Sequence, residues 1–309
     1  MEASLGLWVG FTLFVLLLLA FDLGVLHKER REIGVAEALK LSCGYIVLAL
    51  LFNAGVFWYF GAESGLEFLT GYVIEKSLSL DNIFVIALIF GTFAVPKEYQ
   101  HRVLFWGILG ALVMRAAMIF AGSALILEFR WIVYVFGLFL VATGVKMLVM
   151  RDDAPDVANN PVVTFLRRRF PITAGYEGDR FFVRRSGTLF MTPLFLALVM
   201  VELTDLIFAV DSIPAIFAIT TDPFIVYTSN VFAILGLRAL YFALAAVIHK
   251  FHYLKIGLAL TLVLVGIKMT IVDVWKMPTA LALGLTIALI GGSIVASLVR
   301  PPVREQMPR

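Results

Sequence analysis

Nine apolar runs, spread from one end of the chain to the other, constrain this sequence more than any motif in it. They cover about 5–26, 39–60, 66–94, 102–127, 131–150, 189–219, 224–248, 253–273 and 278–299. About 20 apolar residues in a helix cross a hydrocarbon core roughly 30 Å thick. Backbone in lipid must also satisfy its own hydrogen bonds, which a helix does unaided. With 61% of residues hydrophobic and 15% charged, there is more apolar surface than one water-soluble core can bury. The expectation is an all-α membrane protein of nine transmembrane helices, forming a single transmembrane domain over residues 1–309. The first run has Glu2 in place of a basic leader and no small-residue cleavage pattern before His27, so it reads as a mature helix and not a secretory signal.

Basic residues are retained on the cytoplasmic side, so their distribution sets orientation. One set of run ends carries Lys28, Arg30, Arg31 and Lys40, then Lys97 and Arg102, then Arg151 to Arg185, then Lys250 and Lys255, then Arg300, Arg304 and Arg309. The other ends hold Glu63, Glu67, Glu128 with Arg130, Asp222, and Asp273 with Lys276. The alternation fits nine spans with the N-terminus outside and the C-terminus in the cytoplasm of a bacterial inner membrane. The one long polar connection, 151–188, carries Arg167-Arg168-Arg169 among Phe165, Phe170, Phe181 and Phe182, a composition suited to anionic lipid headgroups, with Phe181-Phe182-Val183 as a possible short strand. The net charge of +3 gives no reason to expect a nucleic-acid partner, and the single cysteine, Cys43, excludes an intramolecular disulfide or a cysteine-cluster metal site.

Two stretches echo each other. Leu80-Asp81-Asn82-Ile83-Phe84-Val85-Ile86 matches Val210-Asp211-Ser212-Ile213-Pro214-Ala215-Ile216, and Glu75 and Asp205 each precede the motif's aspartate by six residues. Arg115 and Arg238 follow, each eight residues after Gly107 or Asn230, and both copies close on Gly144-Val145-Lys146-Met147 or Gly266-Ile267-Lys268-Met269. The repeats span about 66–150 and 189–273, with 5–26, 39–60 and 278–299 peripheral. Three spans is an odd number, so the second copy enters from the opposite face. Inverted repeats are a signature of secondary transporters with a midplane site.

Six acids (Asp22, Glu75, Asp81, Glu202, Asp205, Asp211) and five bases (Lys76, Arg115, Lys146, Arg238, Lys268) fall inside the spans. At about 2.5 to 3.5 kcal/mol each, eleven unpaired charges would cost on the order of 30 kcal/mol, more than a fold's whole stability, so they must face one another or water. Lys146 and Lys268, near span ends, are expected to snorkel. Arg115, Arg238 and Lys76 are candidate charge partners for the acids. Glu202 and Asp205 share one helix face and repel unless a cation or proton intervenes. Hydroxyl and amide oxygens of Ser77, Ser79, Asn82, Thr204 and Ser212 lie near these acids in sequence, a donor set that suits a hard divalent cation. His27, His101, His249 and His252 all fall at span ends, which disfavours imidazole metal sites and leaves no Ser/His arrangement for an intramembrane hydrolase.

On a regular helix, six residues place Glu75 and Asp81, or Asp205 and Asp211, about 120° apart. A shared ion therefore requires breaks in the third and sixth helices, expected near 79–83 and 209–213, where Pro214 removes a hydrogen bond to Val210.

Glu75-Lys76-Ser77-Leu78-Ser79-Leu80-Asp81-Asn82 with Phe84, and Glu202-Leu203-Thr204-Asp205 followed by Phe208-Ala209-Val210-Asp211-Ser212-Ile213-Pro214-Ala215, resemble the two signature segments of the TerC family. Phe21-Asp22-Leu23-Gly24-Val25 and Thr192-Pro193-Leu194 fit as well, so the likeness covers nearly the whole chain. The resemblance implies a non-enzymatic membrane protein of the LysE-like transporter superfamily that exports manganese(II) as cargo, with no permanently bound cofactor, and tellurite resistance in some relatives. It implies Glu75, Asp81, Glu202, Asp205 and Asp211 as metal ligands, Asn82 and Ser212 as neutral oxygen ligands, and Asp22 as an accessory acid. Protons are a candidate second partner, and the oligomeric state stays open. The competing expectation is a non-transporting assembly or stress-response factor, in which the buried charges are structural pairs.

Overall fold

The computed structural model describes residues 4–21, 34–129, 131–149, 160–185, 187–244, 251 and 253–299, with the backbone alone at Phe21 and Asp81. In chain order these form α1 (Leu5–Phe21), α2 (Val35–Phe60), α3 (Ala62–Thr92), α4 (Lys97–Glu128), α5 (Ile132–Val149), α6 (Pro161–Arg169), β1 (Phe182–Arg185), β2 (Thr188–Met191), α7 (Pro193–Phe217), α8 (Pro223–Leu235), α9 (Leu237–Leu244), α10 (Leu254–Thr270) and α11 (Thr279–Val299). Each apolar run is occupied by helix, the seventh by α8 and α9 together. Among the described residues six segments are long and apolar enough to cross a membrane: α2, α4, α5, α7, α8 with α9, and α11. Helices α1 and α10 are shorter, at 17 residues each. Helix α3 carries Glu63, Glu67, Glu75, Lys76 and Asp81, which dilute its hydropathy.

Within the connection between the repeats lie α6, β1 and β2. Asn160 caps α6 by accepting from Val162 N at 2.9 Å, with Pro161 pre-set in the first turn. This helix buries Val163 and turns Phe165 and Arg167, Arg168 and Arg169 outward. The strand foreseen at Phe181-Phe182-Val183 is β1, paired antiparallel with β2. Because β2 takes Thr188–Met191, the sixth apolar run enters helix only at Pro193 and not at 189.

The expected breaks at 79–83 and 209–213 are absent. Helix α3 is continuous from Ala62 to Thr92 and α7 from Pro193 to Phe217. Ser77 and Ser79 donate back to the carbonyls of Val73 and Glu75 at 2.6 and 2.8 Å, bonds that an α-helix provides and an unwound segment would lose. In α7, Pro214 forfeits one hydrogen bond three residues before the helix ends, too little to open it. The break lies in the neighbouring span. Gly236 separates α8 from α9, and Lys76 Nζ donates to the carbonyl of Ala233 at 3.1 Å, placing a cation at the C-terminal end of α8.

Packing between the two copies is reciprocal. Helix α3 lies against α8 as α7 lies against α4, and the most extensive helix–helix contact is α5 with α10. There the backbones touch: a Cβ on Gly266 would stand 2.6 Å from the Gly137 carbonyl oxygen, and one on Gly144 would stand 2.6 Å from that of Ala259. Gly144 also meets Val263, and Gly266 meets Val141. Gly137 and Ala259 each lie seven residues before the matched glycines, and Val141 and Val263 each lie three before. Each contact thus has its counterpart with the roles exchanged, the pattern of a two-fold axis, and the pairing runs antiparallel.

Candidate functional site

Where α3, α4, α7 and α8 meet, the centre is Arg115, which is 1% exposed. Its Nε and Nη2 grip Asp205, donating to Oδ2 at 3.3 Å and Oδ1 at 3.1 Å. Its Nη1 donates to Glu75 Oε1, to Asn230 Oδ1 at 2.8 Å and to Ser212 Oγ at 3.2 Å. Asn82 Nδ2 donates to Asp205 Oδ1 at 3.2 Å. One planar guanidinium therefore bridges two carboxylates from equivalent positions of the two copies, a geometry its fork of donors is built for.

The unbroken helices explain which acids arrive here. With Glu75 and Asp205 aimed at Arg115, the residues six further on point about 120° away. Asp211 accordingly sits within 3.4 Å of Thr143 Oγ1 on α5, on the side of Lys146, outside the cluster. Glu202 lies over Gly110 of α4, where any Cβ would overlap its carboxylate. Of the expected ligands, then, Glu75, Asn82, Asp205 and Ser212 are brought together while Glu202 and Asp211 are not. Asp22 and the side chain of Asp81 lie outside the described residues. Among the described residues no group of three or more acidic, histidine or cysteine side chains is placed to hold a metal ion.

Among the described residues Lys76 serves the Ala233 carbonyl and not a carboxylate. Arg238 is buried in the first turn of α9, next to the break at Gly236. Lys268, expected to snorkel, is buried and faces Glu67, which itself contacts Thr220 near Glu63 and Asp222. Asn230 is the ligand of Arg115 that was not counted among the candidates. Its signal in the sequence is an amide next to Thr228 and Ser229 inside the seventh apolar run, eight residues before the second arginine.

Two buried oxygens of the cluster accept no hydrogen bond: Glu75 Oε2 and Asn82 Oδ1. Buried acceptors without donors are rare and call for a reason. Two carboxylates, amide oxygens and a hydroxyl thus converge from both repeats, oxygen donors of the kind hard divalent cations take, and Arg115 occupies their midst.

The profile of the integral membrane protein TerC family matches residues 60–305. An uncharacterized membrane protein of Myxococcus xanthus is 53% identical over 96% of this chain and 93% of its own length. The Escherichia coli (strain K12) protein called Alx, for which membrane-bound redox modulation is proposed, is 50% identical over 92% of this chain and 91% of its own. An uncharacterized membrane protein of Rickettsia bellii is 45% identical over 97% and 99%. No solved structure matches the chain.

Proposed function

We infer that this chain, which belongs to the integral membrane protein TerC family, exports divalent manganese from the cytoplasm by alternating access. The observation that carries the reading is the single guanidinium shared by Glu75 and Asp205, matching acids of two sequence copies, at a fully buried junction of four helices. Oxygen donors favour a hard divalent ion; manganese as the cargo follows from the family resemblance. The proposed architecture is nine spans in an inner membrane, with the N-terminus outside and the two repeats inverted. The antiparallel, reciprocal α5–α10 contact supports that inversion.

In this mechanism Arg115 is the resident cation of the unloaded carrier. It neutralises one of the two buried carboxylates and hydrogen-bonds both, so the empty site carries fewer unpaired charges than bare acids would. Cargo binding displaces the guanidinium from Asp205, and Asn230 and Ser212 remain as acceptors for it. Asn82 then offers Oδ1 beside the freed carboxylate. Clustered carboxylates also compete for protons, so inward proton movement is the proposed coupling.

The test is manganese(II) uptake into sealed everted vesicles with and without an imposed pH gradient. Wild type is expected to transport and Asp205→Asn, which keeps the shape and removes the charge, to lose at least about a hundredfold in rate. Equal uptake by the variant overturns the reading and leaves the charges as structural pairs of an assembly factor. Indifference of wild-type uptake to the gradient rejects the proton coupling alone.

A further inference from the structure

Arg115 Nη1 has three acceptors: Glu75 Oε1, Ser212 Oγ at 3.2 Å and Asn230 Oδ1 at 2.8 Å. Each has a counterpart in the other copy. Glu75 matches Asp205, six residues before the motif aspartate; Ser212 matches Asn82, directly after it; and Asn230 matches Gly107, eight residues before the arginine. The match holds in space as well as in sequence. Gly71 and Val201 stand four residues before Glu75 and Asp205 respectively. A Cβ on Gly71 would lie 2.9 Å from Ser229 Oγ, next to Asn230 in the chain, and one on Gly107 would lie 3.1 Å from Val201 Cγ1. Helix α3 therefore meets α8 at the point equivalent to that where α7 meets α4.

The three counterparts line one cavity. Asp205, Asn82 and Gly107 border a space of about 20 Å³, room for about one water molecule. Asn82 Oδ1 is buried and, among the described residues, accepts no hydrogen bond, and the same holds for Glu75 Oε2. Native folds leave few such acceptors without a reason. Where one copy surrounds a guanidinium, the other surrounds a cavity with an acceptor still to be used.

Leu237 borders the same cavity. The next residue is Arg238, the counterpart of Arg115, 3% exposed in the first turn of α9. The division of the span at Gly236 comes just before it, so α9 can shift against α8 without unwinding either helix.

We propose that this cavity is the seat of Arg238 in the alternate conformation, in which Arg238 replaces Arg115 between Asp205 and Glu75. Its acceptors there are the two carboxylates and Asn82 Oδ1, the mates of the groups that now hold Arg115. In an inverted repeat, exchanging the conformations of the two copies produces the oppositely facing state, and the exchange carries the arginines with it. A cation then stands between the buried acids in both manganese-free conformations, where bare carboxylates would be costly. The seats exclude each other, because both arginines need the same carboxylates. Gly107 has no side chain to match Asn230, so the second seat lacks one acceptor and the Arg115-seated form is the resting one. Arg238 is thus a positioning residue for the acids and not a ligand of the cargo. The proposal rests on the alternating-access reading for the existence of a second conformation, and on no particular ion.

The test separates net transport from exchange. Net uptake of manganese(II) into manganese-free vesicles requires the carrier to return without manganese. Entry of a radioactive manganese(II) tracer into vesicles preloaded with the unlabelled ion does not. Arg238→Gln is expected to lower net uptake at least tenfold and tracer exchange less than threefold. A parallel fall in both, or undiminished net uptake, overturns the proposal. A second measurement needs no transport. In protein with isotope-labelled arginine side chains, held in lipid nanodiscs, Arg115→Gln is expected to show a carboxylate-bound Nε–H resonance absent from wild type, one that disappears when Arg238→Gln is added. Lack of that resonance in a folded Arg115→Gln protein overturns the alternation of arginines. If wild type carries no manganese in either assay, the transport reading falls and the resonance alone decides whether the second arginine takes the seat.

Discussion

Helices α5 and α10, and helix α4 against α8 with α9, hold matching positions in the two echoing stretches of sequence, yet the two pairs have different shapes. In the first, Gly137, Gly144, Ala259 and Gly266 let backbone meet backbone, and the approaches at Gly144 and Gly266 recur with the partners exchanged. In the second, α4 runs unbroken through Arg115 while its counterpart is divided at Gly236, next to Arg238. Small residues impose one distance on both copies, so that contact stays symmetric. A guanidinium held by both Glu75 and Asp205 occupies a place near the pseudo-axis, and two arginines cannot occupy it together. With Arg115 seated there, the copies must differ. The symmetric pair is a frame, and the asymmetric pair records the state of the site.

The largest effect should come from the asymmetric region. Arg115→Ala leaves Glu75 and Asp205 as buried like charges and is expected to cost about 3–5 kcal/mol, read as a lowered unfolding temperature in detergent. Adding Glu75→Gln and Asp205→Asn should recover a large part of that loss. No recovery would mean that Arg115 supports the fold by its bulk, and the contrast between frame and site would dissolve.

A smaller effect tests the frame. Gly144→Ala and Gly266→Ala each drive a methyl into a facing backbone carbonyl, and each should cost about 1–3 kcal/mol. Because their surroundings are reciprocal, the two costs should agree within roughly 0.5 kcal/mol, within the spread of independent sites. A wide gap would break the symmetric account.

The smallest effect belongs to the division of α8 from α9. Lys76→Met removes the ammonium from the Ala233 carbonyl and should cost about 1 kcal/mol, with faster amide exchange confined to the residues around Gly236. Exchange unchanged there would show that the glycine alone sets the break.

Much of this was legible in residue order. Apolar runs located the helices because the span length is set by the bilayer, and the repeat exposed the matched acids and arginines because its spacing is independent of any fold. The location of the break was not legible. The six-residue spacing of the acids, with Pro214, points to α3 and α7, but serine hydroxyls in α3 bond within an intact helix, while Gly236 gives way beside a lysine from another helix. Lys268 showed the same limit: a lysine near a span end reads as a snorkelling residue until a neighbour such as Glu67 is known to face it.

By itself the sequence determined that the chain is helical and built for a membrane, that two stretches of it share a pattern of residues, and that its buried charges need partners, since all three follow from local composition and spacing. Only the tertiary structure decided which partners meet. Arg115, and not Lys76, takes Glu75 and Asp205; Asp211 turns away to Thr143; and Asn230 joins from α8. The reason is rotational: an intact helix fixes the angle between side chains along one span, but the faces that two helices present to each other are set by the packing of all the others.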